Sequence, residues 1–169
     1  MDNIVILPIL KSMKQVYKDY FELTKPGILT LVTVTTVLGY YLGAHGIASW
    51  SVLIKTLLGS ITSCAGAGAL NHYLERDADA LMNRTKNRPL PSGRMNPNHA
   101  LLFGVICSIS GSSLLAWQVN LLCGFLALMT TFLYTLVYTP LKKTTWLNTV
   151  IGAIPGALPI VGGWRSRCG

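Results

Sequence analysis

The chain has 169 residues, 51% of them hydrophobic and 12% charged, a mean hydropathy of +0.47 and a formal net charge of +8. This composition excludes an ordinary soluble domain, whose helices need a polar face to meet water, and points to a membrane protein. The cations fall between apolar stretches, so the positive charge requires no nucleic-acid partner; membrane topology and attraction to a bilayer carrying anionic lipid account for it.

Five stretches approach the ~20 apolar residues that a helix needs to cross ~30 Å of hydrocarbon. They run roughly Ile28 to Ala44, Val52 to Leu74, Ala100 to Val119, Leu121 to Tyr138 and Trp146 to Trp164. Ahead of them, Met1 to Leu10 is weakly apolar and contains Asp2, so no cleaved signal is expected. Asp19 and Glu22 interrupt the lysines, against an Arg-rich transit peptide. Tyr17 to Leu23 reads as an interfacial amphipathic lead-in, with residues 1–27 forming a cytoplasmic N-terminal segment.

Within the second stretch, the small-residue run GSITSCAGAGAL, Gly59 to Leu70, lets a neighbouring helix approach closely. Asn96 and Pro97 open the third as a capping side chain followed by proline at the first helical position. WQVNL, Trp117 to Leu121, leaves room only for a tight turn, so the third and fourth helices form a hairpin. Cys64, Cys107, Cys123 and Cys168 lack Cys-x-x-Cys spacing, and three of them lie inside apolar stretches, as small apolar residues do.

The basic residues give an orientation. Lys11, Lys14, Lys18 and Lys25 precede the first stretch; Arg76, Arg84, Lys86, Arg88 and Arg94 lie between the second and third; Lys142 and Lys143 follow the fourth. The other two connections carry none when Lys55 is counted inside the second stretch. The positive-inside rule then puts the N-terminus and both basic loops in the cytoplasm.

Directly behind the second stretch stands LNHYLERDADALMNRTKNRPLPSG, Leu70 to Gly93. On a helix advancing about 100° per residue, Asn71, Glu75 and Asp79 fall at about 0°, 40° and 80°, one stripe, while Asp77 at about 240° points away to water or a lysine. A charged side chain costs on the order of 2.5 to 3.5 kcal/mol near the bilayer centre and less at its edge, so this stripe needs compensation. Two carboxylates and an amide oxygen suit Mg²⁺, which prefers a few protein oxygens together with substrate phosphate. Arg84 and Arg88 follow, and guanidinium forks fit phosphate oxygens; Pro89 discourages further helix at Arg88. Metal-binding acids beside phosphate-binding arginines describe a diphosphate held by magnesium. The competing reading is mutual neutralisation of acids and bases in a cytoplasmic loop. VYTPLKKTT adds Tyr138 and Lys142, four apart on the same side of the membrane, where they either line the same pocket or serve as a belt aromatic and a topology signal.

NHYLERDADALMNRTKNRPLPSG resembles the first acidic motif of the UbiA superfamily of intramembrane prenyltransferases, and within it the haem O synthase branch. The N-x-x-x-[DE]-x-x-x-D core is the superfamily pattern, and the continuation from Met82 to Leu90 narrows it. ELTKPGILT at Glu22, YTPLKKTT at Tyr138 and IGAIPGALPIVGGW at Ile151 extend the likeness over about Tyr20 to Trp164. The resemblance implies an all-α polytopic transmembrane helical bundle, with about five spans present of a nine-helix UbiA-type fold around a central cavity. It implies that farnesyl diphosphate binds through Mg²⁺, ionises to an allylic cation and is captured by a vinyl group of haem b to give haem O. It further implies that Asn71, Glu75 and Asp79 hold the metal, that Arg84, Arg88, Lys142 and Lys25 bind diphosphate with Tyr138 beside them, and that haem-handling or terminal oxidase assembly proteins are partners. The location it implies is the bacterial inner membrane, ahead of the mitochondrial one. His72 is read as a polar helix-end residue rather than an iron ligand.

The chain also departs from that pattern, whose second half carries another acidic motif facing the first. After Asp79 there is no Asp or Glu through Gly169, and RSRCG follows Trp164. Residues 28–164 are therefore expected to be the N-terminal part of a prenyltransferase domain, 165–169 an aberrant tail from truncation or frame disruption, and turnover by this chain alone little or none. Two other classes stay open: a non-catalytic membrane subunit or remnant, which the missing acids favour, and a transporter, which would prefer an acid near mid-membrane.

Overall fold

The computed structural model describes residues 3–44, 47, 49–142 and 148–166, and all regular structure among them is helical. In chain order these are α1 (Asn3–Leu23), α2 (Pro26–Ala44), α3 (Trp50–Leu81), α4 (Pro97–Gln118), α5 (Leu121–Phe132), a π-helical segment (Leu133–Tyr138), α6 (Thr139–Leu141) and α7 (Asn148–Arg165). Four helical runs are long and apolar enough to cross a membrane: Pro26–Gly43, Trp50–Leu81, Pro97–Gln118 and the continuous Leu121–Leu141. The fifth expected span is present as α7, whose 18 residues run from polar Asn148 to Arg165 and do not reach the apolar content of the other four. Trp146 lies outside the described residues, as do Lys143 and 167–169; Arg165 closes α7 and Ser166 is buried.

Most boundaries follow local chemistry. The Ser49 hydroxyl caps α3, and the Asn96 side chain caps α4 with Pro97 directly behind it. Asn120 carries the tight turn: its Oδ1 accepts from the Cys123 amide at 2.8 Å, opening α5, while its Nδ2 donates to the Arg165 carbonyl at 3.1 Å. One side chain thus joins the start of α5 to the end of α7. At the other end of the bundle, α1 runs into α2 through Lys25, a non-glycine residue at φ 52. Its carbonyl accepts from the Ile28 and Leu29 amides. The lead-in helix is much longer than Tyr17 to Leu23, because α1 begins at Asn3.

Packing rests on small residues. Gly59, Gly66 and Ser63 of α3 meet Gly104, Ser108 and Gly111 of α4 almost backbone to backbone, as the small-residue run predicts. Between α2 and α7 the same device recurs at Gly39 and Gly163. Ser63 also lies 3.4 Å from both Ser112 and Thr131, a shared hydroxyl contact among α3, α4 and α5. Beneath the 82–96 loop, Leu23, Ala69, Leu90, Met95 and Ala100 form a small buried cluster. Arg94 straps that loop to α1 through Asp19 at 3.6 Å and Glu22 at 3.5 Å.

The outward faces are apolar: Leu31, Leu38, Ile54, Leu58, Ile106 and Phe125 are all exposed. Hydrocarbon, not water, is the solvent for such a surface. The chain is an integral membrane protein.

Candidate active site

α3 has 32 residues, about 48 Å at 1.5 Å per residue, and so outruns a ~30 Å hydrocarbon core. Its last turns carry the charged stripe on continuous helix, and the expected periodicity holds. Asn71, Glu75 and Asp79 are 2%, 6% and 5% exposed, whereas Asp77 is exposed and pairs with Arg76 at 3.5 Å rather than with a lysine.

Each stripe residue meets a cation from a different part of the chain. The Lys25 ammonium, from the joint between α1 and α2, donates to Asn71 Oδ1. Lys142, just past α6, donates to Glu75 Oε1 at 3.2 Å, and Arg88, from the 82–96 loop, donates to Asp79 Oδ2 at 2.6 Å. Of the two ion pairs, Arg88 with Asp79 is local, as neutralisation within the loop would give, whereas Lys142 reaches Glu75 across 67 residues; Lys25 meets the uncharged Asn71 across 46. Burial of the Lys25 ammonium is the largest influence on it, only partly offset by Glu75, and pushes the amine down to about 8. At neutral pH it is still mostly charged.

Arg84 stands apart. The helix ends at Leu81 and the chain turns through 82–96, so Arg84 and Arg88 share no helical face. Arg84 is exposed and, among the described residues, has no hydrogen bond or ion pair. His72 also differs from expectation: α3 continues past it, it is 3% exposed, and its Nδ1 has no hydrogen-bond partner among the described residues.

Below the cluster lies a cavity of about 710 Å³. Lys25, Asn71 and Lys142 form its polar end, and Leu115, Cys123 and Gly162 line the far one. Thr56 and Asn71 both border it, 15 residues apart on α3 or roughly 22 Å along the axis. Glu75 and Asp79, one and two turns beyond Asn71 on α3, are not among the residues that line it; Glu75 adjoins it through Lys142. Tyr138 lines the cavity rather than facing lipid, and stacks on Tyr134 with ring centroids 5.6 Å apart. The Lys25 ammonium lies 5.9 Å from the Tyr134 ring centroid.

Two residues here escape the sequence reading. Tyr134 is signalled only by its four-residue spacing from Tyr138. Thr139, 2% exposed, accepts a hydrogen bond from Asn71 Nδ2 at 2.8 Å. Its position in an apolar run gives no hint of that contact.

Among the described residues no three His, Cys, Asp or Glu side chains stand close enough to form a protein-only metal cage. The stripe offers two carboxylates and one amide, a donor set that suits a hard divalent ion completing its shell with water and phosphate oxygens.

The family model for the UbiA prenyltransferase family matches residues 32–168. A protoheme IX farnesyltransferase of Solibacter usitatus is 41% identical over 161 residues, covering 90% of this chain and 55% of that protein. Another, of Flavobacterium psychrophilum, is 40% identical over 157 residues, covering 92% of this chain and 52% of that protein. The chain therefore spans about half the length of these curated relatives. A solved structure of a digeranylgeranylglyceryl phosphate synthase in membranes superposes with a TM-score of 0.79 at 20% identity, covering 87% of this chain and 52% of that one, a likeness of fold. The small-residue contacts, the acidic stripe at the end of α3 and the cavity beneath it thus stand on a known scaffold, and the chain belongs to the UbiA prenyltransferase family.

Proposed function

We propose that the chain is the diphosphate-binding half of a membrane prenyltransferase that moves a farnesyl group from farnesyl diphosphate to haem b, giving haem O. One observation carries the reading. A long apolar cavity ends beneath buried carboxylates and cations, and so matches an amphiphile with a hydrocarbon tail and a polyanionic head. The names of the curated relatives supply the identity of the two substrates.

In this reading Asn71, Glu75 and Asp79 hold a divalent cation, Mg²⁺ by its preference for oxygen and phosphate. Bound there, the ion would supply positive charge to offset that of the diphosphate leaving group. Lys25, Arg88 and Lys142 are drawn from their present partners onto phosphate oxygens, and bidentate Arg88 supplies orientation as well as charge. Arg84 joins only through movement of the 82–96 loop. The allylic carbon–oxygen bond breaks with its electron pair leaving on diphosphate, the farnesyl cation bonds to the terminal carbon of a haem vinyl group, and one water adds to the cation left on the inner vinyl carbon and loses a proton, giving the hydroxyethylfarnesyl side chain of haem O. Tyr134 and Tyr138 flank the polar end of the cavity, and the apolar walls below limit capture by water.

Residues 28–164 are the domain portion concerned, and the bacterial inner membrane with the N-terminus in the cytoplasm is the proposed setting. The acids of a second metal motif are absent after Asp79, so this chain by itself binds the diphosphate and turns over little. Radiolabelled farnesyl diphosphate binding to the purified chain tests this. Binding is expected to need Mg²⁺ and to weaken about tenfold or more in Asp79→Asn, the loss of one charged ligand. Equal affinity in wild type and Asp79→Asn would remove the acidic stripe from the site. Mixing in haem b tests the second claim, and brisk magnesium-dependent transfer by the 169-residue chain would refute it.

A further inference from the structure

We infer that Thr139 is a positioning residue: it fixes which end of the Asn71 amide faces the cation site, and so explains why that stripe position is an amide rather than a third carboxylate. The inference deepens the proposed diphosphate site and rests on it.

The hydrogen-bond polarity runs one way. The π-helical segment shifts pairing by one residue, so the Thr139 backbone N–H reaches the Tyr134 carbonyl, five residues back. The Thr139 hydroxyl donates to the same carbonyl at 2.8 Å. With its only hydrogen committed, Thr139 Oγ1 can act toward Asn71 only as an acceptor. Asn71 must therefore present Nδ2 to Thr139, as observed at 2.8 Å, and turn Oδ1 the other way. The group on that other side is the Lys25 ammonium, which has donors alone, so both neighbours demand the same amide orientation. A flipped amide would set Nδ2 against the Lys25 ammonium and could be met by Thr139 only with its hydroxyl turned off the Tyr134 carbonyl, and both Asn71 and Thr139 are 2% exposed, so water does not compete. The oxygen aimed at Lys25 is the one that a metal ion or a phosphate-bound cation would use. A carboxylate at position 71 would set oxygen against Thr139 Oγ1 and force the hydroxyl off the Tyr134 carbonyl.

The test is binding of Mn²⁺ with inorganic pyrophosphate to the full 169-residue chain in nanodiscs, followed by the Mn²⁺ paramagnetic resonance signal. Thr139→Val removes the acceptor and is expected to weaken binding by about tenfold, while Thr139→Ser keeps the hydroxyl and binds as wild type does. In an Asn71→Ala background Thr139→Val has no further effect, because Thr139 acts through Asn71. Should Thr139→Val fail to fold, Asn71→Asp decides: it is expected to bind more weakly than wild type despite its added negative charge, and tighter binding overturns the inference. Wild-type affinity in Thr139→Val overturns it as well. Asp79→Asn separates the two levels. If Asp79→Asn weakens binding while Thr139→Val does not, the site stands and Thr139 has no part in orienting it. If wild type takes up no Mn²⁺ with pyrophosphate, or Asp79→Asn binds equally, the site itself is misassigned and this inference falls with it.

Discussion

Lys25 concentrates the site's tensions in one residue. Its backbone sits at φ 52, a left-handed conformation that costs a side-chain-bearing residue about 1 kcal/mol or more, and such strain persists where the surroundings over-determine it. Those surroundings are Pro26 behind it and its amine's contact with Asn71 ahead. Lys25→Ala loses the amine and keeps the strain, whereas Lys25→Gly loses the amine and relieves it. The glycine variant should therefore unfold in detergent with about 1 kcal/mol more stability than the alanine variant, and equal midpoints would mean the left-handed joint is not strained. The amine makes a second prediction. Burial lowers it from 10.5 to about 8, so between those values the folded chain has released a proton that the unfolded chain still holds. This group's contribution to stability rises with pH through that window; below about pH 8 the cost of burying the ammonium is undiminished. Amine labelling followed by mass spectrometry should find Lys25 half-reactive near pH 8, against ~10.4 for an unperturbed lysine, and a profile at the ordinary value would contradict the buried geometry. The stripe of Asn71, Glu75 and Asp79 could be read in advance because helical periodicity fixes it wherever the helix continues. Arg84 could not, since its place depends on where α3 stops, and the bearing of Thr139 on Asn71 depends on the π-helical register, which no spacing rule announces.

Between elements, the decisive chemistry is absence of side chain. A Cβ added at Gly111 would lie 2.7 Å from the Gly59 carbonyl oxygen and closer still to the Ser63 amide nitrogen, and backbone cannot swing aside as a side chain can. Gly111→Ala should force α3 and α4 apart at a cost of about 1 to 3 kcal/mol, while Gly27→Ala, with nothing within 4 Å of the added carbon, should be neutral or mildly stabilising. Denaturation of the two variants in mild detergent checks the contrast; equal stability would mean that α3 and α4 are not held at this separation. A displaced α3 would also carry Asn71, Glu75 and Asp79 out of register with Lys142, so Gly111→Ala is expected to weaken diphosphate binding although it lies far from the head group. The run Gly59 to Leu70 advertised close approach, and the tight turn at Asn120 advertised an α4–α5 hairpin, because both follow from local composition. The pairing of α2 with α7 through Gly39 and Gly163 was not readable, since it brings together residues more than a hundred positions apart. Nor was the place of Pro155 and Pro159 anticipated: both line the cavity from within α7.

Across the whole molecule, charge and aromatic residues divide between the two ends of the bundle. Lys25, Arg88, Arg94 and Lys142 gather with the acidic stripe at one end, while Lys55 and Arg165 are the described cations toward the other. That second end carries Tyr41, Trp50, Trp117 and Trp164, exposed at 53%, 66%, 91% and 50%, each within a few residues of a helix terminus. Amphipathic aromatics at this depth mark a membrane–water interface, and the excess of lysine and arginine in short loops marks the cytoplasmic side. Beside the basic end, α1 exposes Met13, Val16, Tyr17 and Phe21 and carries Lys14 and Lys18, the make-up of a helix lying in the plane of an anionic leaflet. The proposed diphosphate site is thereby expected to open to the cytoplasm, where a water-soluble head group and divalent ions are available, with the cavity's far end toward the opposite leaflet. Single cysteines in a background lacking the native four test this with a membrane-impermeant maleimide. Ser92→Cys, in the exposed basic loop, should label in inverted vesicles and stay protected in right-side-out ones, and Trp117→Cys should show the reverse. Labelling of both from one side would place α4 outside the bilayer. Labelling with the sides exchanged would leave every helix in place and turn the acidic mouth outward, away from the pool of diphosphate and metal on which the proposed chemistry depends.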